Sequence, residues 1–521
     1  MTHEGAAQED IEVLVVGAGP TGLMLANWLV KLGRRIALID GKDGPTVESR
    51  ALGVHSRSLE IYDQLGVIDR VLAEAVRVES VRQGFGHASF APVPLAGLGR
   101  GITPYPGIHV LEQSANERIL GDNLRTLGGT VRWRHRLVSL EQVGDGVLAV
   151  VEGPDGPSTI RARFAVGCDG AGSTVRSLCG TDFEGTTSRQ SFYLVDAVGV
   201  DGLNPASVNV RLGATAFLLA FPMRSAEDGR TGQRLIGTAG DDDAPDITEE
   251  GARRRMAEGF GVTYEDSRWF STYRVHHRIA ARFRTGSVFL AGDAAHVHSP
   301  VGAQGMNTGL QDAHNLAFKL HDVISGRAPD ALLDRYGAER RPVAVRLLQT
   351  TDTAFRGLIS TSRTAVLVRR FVPRVVVPVI VTVLPRLPIG RRLAGYLGQV
   401  RIHYRMEGAQ EGRRRDAVVG RRLQWTGDNF DALRSASWQL HLYAPDPAAA
   451  RRAEAAAVEL GLPLHSFGST GSTPLRPGTL YLVRPDGFVA AASAPAEAVA
   501  VFRAARAPSP AAPPAGKDER P

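Results

Sequence analysis

Residues 11–40 read IEVLVVGAGPTGLMLANWLVKLGRRIALID, and they decide the fold of the N-terminal part of the chain. The apolar run Glu12–Val16 predicts a short strand, which GAGPTG (Gly17–Gly22) interrupts. Apolar residues at helical spacing follow over Leu23–Leu32, and Arg35–Ile39 predicts a second apolar strand. The stretch therefore predicts a β-turn-α-β unit.

The turn GAGPTG fits the pattern G-x-G-x-x-G. Glycines at Gly17, Gly19 and Gly22 let the backbone turn tightly and approach a pyrophosphate at the N-terminus of the helix. Asp40 ends the second strand, where a carboxylate can accept hydrogen bonds from a ribose hydroxyl. A glycine-rich turn with a surface aspartate is the simpler alternative. Strand, helix, strand and terminal acid together predict a dinucleotide site, without distinguishing NAD from FAD.

A second motif is VFLAGDAAH (Val288–His296), an apolar strand that ends in Gly-Asp. The loop His298–Gly309 follows and opens a predicted helix over about Gly305–Ile324. The amides of such a loop and the positive end of the helix dipole can stabilise the negatively charged side of a reduced flavin. His296 and His298 have a spacing compatible with metal binding, but the extended loop has no nearby cage of carboxylates and no cysteines, so we expect no metal.

Composition limits the class of protein. The chain has 521 residues, of which 43% are hydrophobic and 22% charged, and its formal net charge is +7. Its arginines are scattered, so we expect no nucleic-acid partner. The two cysteines, Cys168 and Cys179, exclude a disulfide scaffold and predict buried, reduced thiols. The start of the chain lacks the basic residues that open a signal peptide, and the longest apolar stretch, Val375–Leu384, is too short to span a bilayer. We therefore expect a cytoplasmic enzyme without stable membrane insertion.

Three motifs carry a resemblance to a known family: GAGPTG, GCDGAGSTVR (Gly167–Arg176) and AGDAAHVHSPVGAQGMNTGLQDAHNLAFKL (Ala291–Leu320). In this order they resemble the fingerprints of the class A FAD-dependent aromatic hydroxylases, which have the p-hydroxybenzoate hydroxylase fold. The chain is most similar to actinobacterial hydroxylases of aromatic polyketides. VRIHYR (Val400–Arg405) and LVRPDGFVA (Leu482–Ala490) resemble the thioredoxin-like C-terminal extension of that family. Without a Cys-x-x-Cys pair, this extension is expected to be structural or to support a homodimer.

The resemblance implies an α/β fold with three parts. These are a Rossmann-type FAD-binding domain, an inserted antiparallel β-sheet substrate domain, and a thioredoxin-like C-terminal α/β domain. The expected boundaries are 1–78, 103–190 and 281–355 for the FAD-binding domain, 79–102 and 191–280 for the substrate domain, 356–410 for a helical connector, 411–506 for the C-terminal domain, and 507–521 for a disordered Pro/Ala-rich tail. Patterning further predicts helices at Ser56–Leu65 and Ala448–Leu460, and strands at Ser207–Leu212, Ala216–Phe221, Ser287–Ala291, Trp438–Tyr443 and Leu480–Val483.

Carried over by position, the resemblance implies the residues of the FAD site. The pyrophosphate would contact Gly17, Gly19, Pro20, Thr21 and Gly22, and the adenosine ribose would contact Asp40. Arg50 would approach the pyrophosphate or the mobile isoalloxazine, and the site would also include Gln113, Arg118, Asp169, Gly292 and Asp293. The flavin ring would pack against Pro300 and the backbone of Gly302–Asn307, including Gly305, Met306 and Asn307. Ala303 stands where the family usually has glycine. Simpler alternatives are a surface charge for Arg50 and a helix-face ion pair of Arg118 with Glu117 or Asp122.

The resemblance implies an FAD-dependent monooxygenase that uses NADPH or NADH and O2 to hydroxylate an aromatic, polyketide-type substrate in antibiotic biosynthesis, through a flavin C4a-hydroperoxide. Since the flavin performs the chemistry, we expect no nucleophile triad, and the sequence assigns no side chain a catalytic role. Candidates for the cavity wall are Phe90, Phe217 and Phe221, and candidates for a substrate-side base are His55, Arg82, His87 and His109. Core packing or surface exposure is the simpler explanation for each.

Two alternatives remain open. A Baeyer–Villiger oxygenase or an epoxidase would use the same fold and cofactor. A flavin-binding partner protein without turnover would keep the motifs but catalyse nothing. Flavin-dependent halogenation is disfavoured, because none of the five tryptophans forms a Trp-x-Trp pattern.

Overall fold

A computed structural model gives the fold of the chain. It describes residues 8–46, 51–95, 97–214, 216–224, 232–240, 247–298, 304–359, 362, 364–371, 395–396, 398–404, 418–471 and 473–506. The chain divides into two compact units, residues 1–314 with 343–401 and residues 315–342 with 402–521. Residues 315–342, which the sequence placed in the FAD-binding domain, thus belong to the second unit.

The first unit contains a sheet built around its N-terminal strand, Gln8–Val16. This strand lies parallel to Gly156–Gly167 on one side and to Ile36–Asp40 on the other. Val13, Leu14 and Val15 are completely buried, as expected for a strand covered on both faces. The spatial order is Arg136–Val143, Gly146–Gly153, Gly156–Gly167, Gln8–Val16, Ile36–Asp40 and Val131–Trp133, with Val288–Leu290 joined to Gly156–Gly167 and Arg284–Thr285 joined to Val288–Leu290.

The helix Pro20–Lys31 joins the first two strands and confirms the predicted β-turn-α-β unit. Pro20 at its first turn has the backbone angle that a helix needs and lacks only an amide that would have no partner there. The helix buries Leu23, Leu25 and Trp28. Asn27 donates to the carbonyl of Leu120, 2.9 Å away, which ties this helix to the helix Gln113–Thr126.

A second sheet of the first unit contains nine strands among the described residues. Their order is His296–Val297, Asp266–Ala280, Phe183–Val198, Gly232–Gly240, Phe217–Met223, Ser207–Leu212, Ser80–Phe85 and Ala88–Ser89, with Val93–Pro94 also paired to Ser80–Phe85. The predicted antiparallel sheet holds for every pair except one, since Ser80–Phe85 runs parallel to Ser207–Leu212. A small third sheet consists of Gly53–Val54, Ile108–Val110 and Val76–Val78.

The two faces of the second sheet have different neighbours. On one face, Tyr193, Leu218 and Leu235 pack against the helix Glu249–Phe260. Side chains alternate along a strand, so the residues next to these point to the opposite face, where Phe192 and Phe217 belong to a separate apolar cluster. That opposite face is the one that contributes to the candidate site.

The second unit contains a four-stranded sheet, in the order Leu464–Phe467, Gln439–Tyr443, Leu480–Val483 and Val489–Ser493. The helix Pro447–Leu460 connects the parallel pair Gln439–Tyr443 and Leu464–Phe467. This helix starts at Asp446, whose carboxylate accepts from the amide of Ala449 at 2.7 Å, and it ends at Gly461 in the left-handed conformation. A second helix, Ala498–Arg506, completes the apolar core with Phe502.

The remaining helices of four or more residues agree with the sequence where it made a prediction. Ser56–Leu65 and Gly305–Ile324 have the predicted bounds. The others are Ile68–Glu74, Thr174–Leu178, Asp334–Ile359 and residues 364–371, with the 3-10 turns Gly292–Ala294, Asp330–Leu333, Asp431–Ser435 and Pro495–Glu497. No helix in the described ranges is long and apolar enough to cross a membrane. Val375–Leu384, most of the predicted connector and the predicted tail lie outside the described residues.

Candidate active site

A cavity of about 1010 Å³ lies in the first unit, and we call it the main cavity. One part of its lining comes from the ends of the parallel strands and the loops that follow them, including Gly17, Asp40 and Asp169. Another part comes from the second sheet, including Phe192 and Phe217. The main cavity thus combines a polar, glycine-rich side with an apolar, aromatic side.

The glycine-rich loop is shaped by close backbone contacts. Gly17 has a φ of 102°, and a Cβ atom there would lie 2.5 Å from the carbonyl oxygen of Cys168. A Cβ on Gly22 would lie 1.9 Å from the carbonyl oxygen of Gly17. By contrast, no atom lies within 4 Å of the Cβ position of Gly19, which lines the main cavity. The loop therefore leaves space beside Gly19 where a bound group can approach the backbone, as a pyrophosphate requires.

Asp40 lines the main cavity at the end of its strand. One carboxylate oxygen accepts from the amide of Ala18 at 2.7 Å, and the other accepts from the amide of Lys42 at 2.9 Å. A carboxylate can accept about four hydrogen bonds, so both oxygens keep capacity for a ligand hydroxyl. Asp40 therefore holds the glycine-rich loop and also presents an acceptor to the main cavity.

Asp169 follows the strand Gly156–Gly167 and also lines the main cavity. Burial raises the pKa of its carboxyl group, while hydrogen bonds from the hydroxyl of Ser173 (2.5 Å) and the amide of Val175 (3.1 Å) oppose that change. Arg176 donates to the carbonyls of Ala171 at 2.7 Å and Ala294 at 2.9 Å. These two bonds join the Asp-Gly loop to the Gly-Asp loop, so the two motifs form one structure.

The Gly-Asp loop is held in place by the side chain of Asp312, which is completely buried. One oxygen of Asp312 accepts from the amide of Gly292 at 3.1 Å and lies 2.7 Å from Nε2 of His296. The Nε2 atom of His296 therefore contacts a buried carboxylate of the protein. Asp293 is exposed and lines the main cavity, while a Cβ on Gly292 would lie 2.4 Å from the hydroxyl of Thr21. The two glycine-containing motifs thus pack directly together.

The aromatic side of the main cavity comes from four neighbouring strands of the second sheet. Phe192 stacks on Tyr273 with ring centroids 5.6 Å apart, and Phe217 lies 6.1 Å from Phe192. The side chains on this wall are Phe192, Phe217, Leu219, Phe221, Ile236, Tyr273 and Val275. Phe217 and Phe221 are thus on the wall as proposed from the sequence, whereas Phe90 does not line the main cavity. Phe192 and Tyr273 were missed, because only the cross-strand register brings them together.

Comparison with known proteins decides the family. The family described as "FAD binding domain" matches residues 10–351. The chain belongs to this FAD-binding family. The 6-methylpretetramide 4-monooxygenase of Streptomyces rimosus is 33% identical over 517 residues, covering 92% of this chain and 90% of that protein. The 12-dehydrotetracycline 5-monooxygenase/anhydrotetracycline 6-monooxygenase of Streptomyces rimosus subsp. rimosus is 38% identical over 351 residues, covering 65% and 68%.

Solved structures agree with this assignment. The anhydrotetracycline hydroxylase from Streptomyces rimosus has a TM-score of 0.72 and 31% sequence identity, and the match covers 96% of this chain and 100% of that one. The resemblance to the class A flavin hydroxylases is thereby confirmed, and so is the mixed α/β fold with several sheets. The chain is an FAD-dependent monooxygenase.

Some of the other predicted FAD residues of this monooxygenase line the main cavity, and others do not. Gln113, Gly305 and Met306 line the main cavity, as do Pro20 and Thr21. Asn307 does not line the main cavity, and its side chain is buried. Its oxygen accepts from the amide of His55 (2.8 Å) and the hydroxyl of Ser58 (2.7 Å). Arg50, Pro300, Gly302 and Ala303 lie outside the described residues.

The four candidates for a substrate-side base do not line the main cavity: His55, Arg82, His87 and His109. His87 is exposed and contacts the carbonyl of Glu258 at 2.9 Å. His109 is buried, and this burial lowers its pKa to about 4. The titratable side chains that do line the main cavity include His135 and His276, at positions that the sequence motifs do not mark.

Arg118 lies away from the main cavity. Its side chain is 55% exposed and forms an ion pair with Glu74, whereas the sequence offered Glu117 or Asp122 as partners. We expect Arg118→Gln to retain the wild-type flavin content and to change the free energy of unfolding by less than about 1 kcal/mol, because exposed ion pairs contribute little. The flavin-to-protein absorbance ratio and a urea titration measure both quantities. A large loss of flavin would show that Arg118 turns towards the cofactor when FAD is bound.

Proposed function

We propose that this monooxygenase hydroxylates a polycyclic, polyketide-type aromatic substrate, with NADPH or NADH as the reductant and O2 as the oxidant. The observation that carries the proposal is the composition of the main cavity. It joins a glycine-rich loop and three aspartates to a wall of aromatic and aliphatic side chains. Its volume, about 1010 Å³, is at the upper end of the range for small-molecule sites, in keeping with a cofactor and a multi-ring substrate together.

The residues present fit FAD. The open space beside Gly19 suits the pyrophosphate, and the carboxylate of Asp40 suits the adenosine ribose. We place Asp293 at the ribityl or pyrophosphate region and Asp169 at the contacts shared by FAD and NAD(P)H. When bound, FAD supplies hydride acceptance and oxygen activation, which amino-acid side chains do not provide.

The protein's own contribution is binding, orientation and exclusion of water. A flat aromatic ring can pack against the stacked pair Phe192 and Tyr273, whose ring planes differ by only 28°. The aliphatic side chains Leu219 and Val275 extend this wall and keep it apolar. An apolar wall limits access of water to the reacting centre, which suppresses unproductive loss of activated oxygen. The wall thus favours a planar, largely uncharged portion of the substrate.

The experiment that tests this function is oxidation of NADPH and NADH by the FAD-loaded enzyme with a panel of polycyclic phenols. We expect at least one phenol to accelerate the oxidation and to gain one oxygen atom from ¹⁸O2, as read by product mass. NMR of the product separates a phenol from a ring-expanded lactone or an epoxide. If no phenol accelerates NAD(P)H oxidation, the monooxygenase proposal for these substrates fails, and a different substrate class or a flavin-binding role replaces it.

Removal of the carboxylate at Asp293 tests the cofactor placement. We expect Asp293→Ala to raise the dissociation constant of FAD by about tenfold or more, because a hydrogen bond to a charged group contributes about 1.5–3 kcal/mol. Flavin content after purification and an FAD titration of the apoprotein provide the measurement. Asp155→Ala, at an exposed turn outside the main cavity, is the control and should bind FAD like wild type. Equal FAD affinity in both variants would remove Asp293 from the site.

We further propose that the second unit corresponds to the thioredoxin-like extension and supports a homodimer. The parallel strand pair with its crossover helix Pro447–Leu460 and the two following antiparallel strands support the first part. Both cysteines of the chain, Cys168 and Cys179, are in the first unit, where Cys168 is buried and Cys179 partly buried. The second unit therefore has no thiol for redox chemistry. Mass measurement in solution, by light scattering, tests the homodimer.

A further inference from the structure

The second unit contains a cleft that the proposed reaction does not use, and we call it the Trp438 cleft. It has an outer part of about 330 Å³ and a narrow inner part of about 50 Å³. The two parts share six lining residues, which define the cleft: Phe318, Asp322, Leu332, Arg335, Trp438 and Pro485. Four of these six side chains are apolar, and one of the four is the half-buried indole of Trp438. The cleft therefore offers a mostly hydrophobic floor of a size that suits a small ligand.

The rim of the Trp438 cleft is positively charged. Besides Arg335, the outer part is lined by Arg327 and Arg506. The guanidinium of Arg506 lies 5.8 Å from the centroid of the Trp438 ring. The lining of the outer part contains these three guanidinium groups and one carboxylate, that of Asp322, so it carries an excess of positive charge.

That carboxylate is already engaged. Oδ2 of Asp322 accepts from the indole nitrogen of Trp438 at 3.1 Å, and Oδ1 lies 3.4 Å from Nε of Arg327. Asp322 thus fixes the orientation of the indole and compensates the charge of Arg327. Arg335 and Arg506 also line the outer part, and the guanidinium group of Arg506 lies beside the indole.

The inner end of the cleft is electrically balanced. Lys319 lies 2.8 Å from Glu339, and Arg484 contacts both Glu339 and Asp486 at 2.6 Å. These four side chains are almost completely buried. Two cations thus meet two carboxylates, and the inner part has space for little more than a water molecule. An anion would therefore be held at the rim and not at the inner end.

We propose that the Trp438 cleft binds a small planar aromatic anion. Its ring would pack on Trp438, Phe318 and Pro485, and its acid group would contact the guanidinium group of Arg506. Guanidinium groups bind carboxylates through paired, charge-assisted hydrogen bonds, and an indole prefers a flat aromatic partner. An aliphatic acid would leave the indole face without a matching ring, and a neutral aromatic would leave the charged rim unmatched. This site does not depend on the monooxygenase reaction.

The test uses 2-naphthoate as the probe and the FAD-loaded full-length enzyme. Binding is measured by isothermal titration calorimetry, and the flavin absorption spectrum reports separately whether the probe enters the main cavity. We expect a site whose occupation leaves the flavin spectrum unchanged and which binds 2-naphthoate at least about tenfold more tightly than the neutral 2-naphthylmethanol. Binding that always perturbs the flavin, or equal affinity for both probes, would overturn the proposal.

Two variants on the same helix give a matched comparison. Arg506→Gln should weaken binding at this site about tenfold. Arg503→Gln should bind like wild type, because Arg503 pairs with Glu459 and does not line the cleft. Trp438→Leu should weaken the binding of 2-naphthoate as well, while flavin content stays at the wild-type level. If Arg506→Gln and Arg503→Gln bind 2-naphthoate equally, the anion is not held by this rim and the proposal is wrong.

Discussion

Replacing Gly22 with alanine will cost the enzyme its flavin and a large part of its stability. The added Cβ would lie 1.9 Å from the carbonyl oxygen of Gly17, which is a backbone atom, so no side-chain rotation relieves the clash. Overpacking in a rigid interior typically costs about 1–3 kcal/mol, and a backbone obstacle places this substitution at the upper end or above. The start of the helix Pro20–Lys31 must move, and the amides proposed to face the pyrophosphate move with it. A urea titration and the flavin-to-protein absorbance ratio measure the two losses.

Gly19→Ala separates a cofactor contact from a folding defect. No protein atom lies within 4 Å of the new Cβ, and Gly19 has a φ of −75°, which alanine adopts readily. We expect wild-type stability but a clear loss of FAD, since the methyl group enters the space assigned to the pyrophosphate. Gly121→Ala, in the helix Gln113–Thr126 with the same open surroundings, should retain FAD. Full flavin content in Gly19→Ala would place the pyrophosphate elsewhere, and wild-type stability of Gly22→Ala would show that the loop yields.

The parts of the fold that the sequence predicted are those set by local interactions. Apolar periodicity and the glycine-rich turn identified the β-turn-α-β unit, and the helices Ser56–Leu65 and Gly305–Ile324 have the predicted bounds. In the second unit, Leu480–Val483 is a strand as predicted. The helix predicted from Ala448 starts one residue earlier, at Pro447, after the cap by Asp446. Such signals depend on neighbours within a few residues, so a single sequence contains them.

The parts that the sequence did not predict depend on distant partners. Arg118 pairs with Glu74, which is 44 residues away, and the sequence considered only partners on its own helix. The aromatic wall requires that Phe192 and Tyr273 meet across two strands, and their register is a property of the folded sheet. The same holds for the parallel pair Ser80–Phe85 and Ser207–Leu212, which an alternating pattern cannot distinguish from an antiparallel one.

Glu339→Gln, which removes one negative charge from the second unit, should lower the free energy of unfolding strongly. The carboxylate of Glu339 accepts from Arg484 at 2.6 and 3.0 Å, from Lys319 at 2.8 Å and from Asn315 at 2.7 Å. Burial alone would raise the pKa of Glu339, but the charges and hydrogen bonds of Arg484 and Lys319 lower it well below its usual value. Removing this charge leaves the buried cations Lys319 and Arg484 without one of the two carboxylates of the cluster. Breaking a buried ion pair on one side costs about 3–5 kcal/mol.

The pH dependence of that loss identifies its cause. Because the folded-state pKa of Glu339 is lowered, its contribution to stability is fully present above the unfolded value of 4.5 and disappears as the pH falls towards the folded value. The difference in unfolding free energy between wild type and Glu339→Gln should therefore be largest near pH 7 and smaller at pH 3, as read from urea titrations. Glu454→Gln, at an exposed position of the helix Pro447–Leu460, should show little difference at either pH. A difference for Glu339→Gln that is equally large at pH 3 would mean that packing of the side chain, and not its charge, stabilises the cluster.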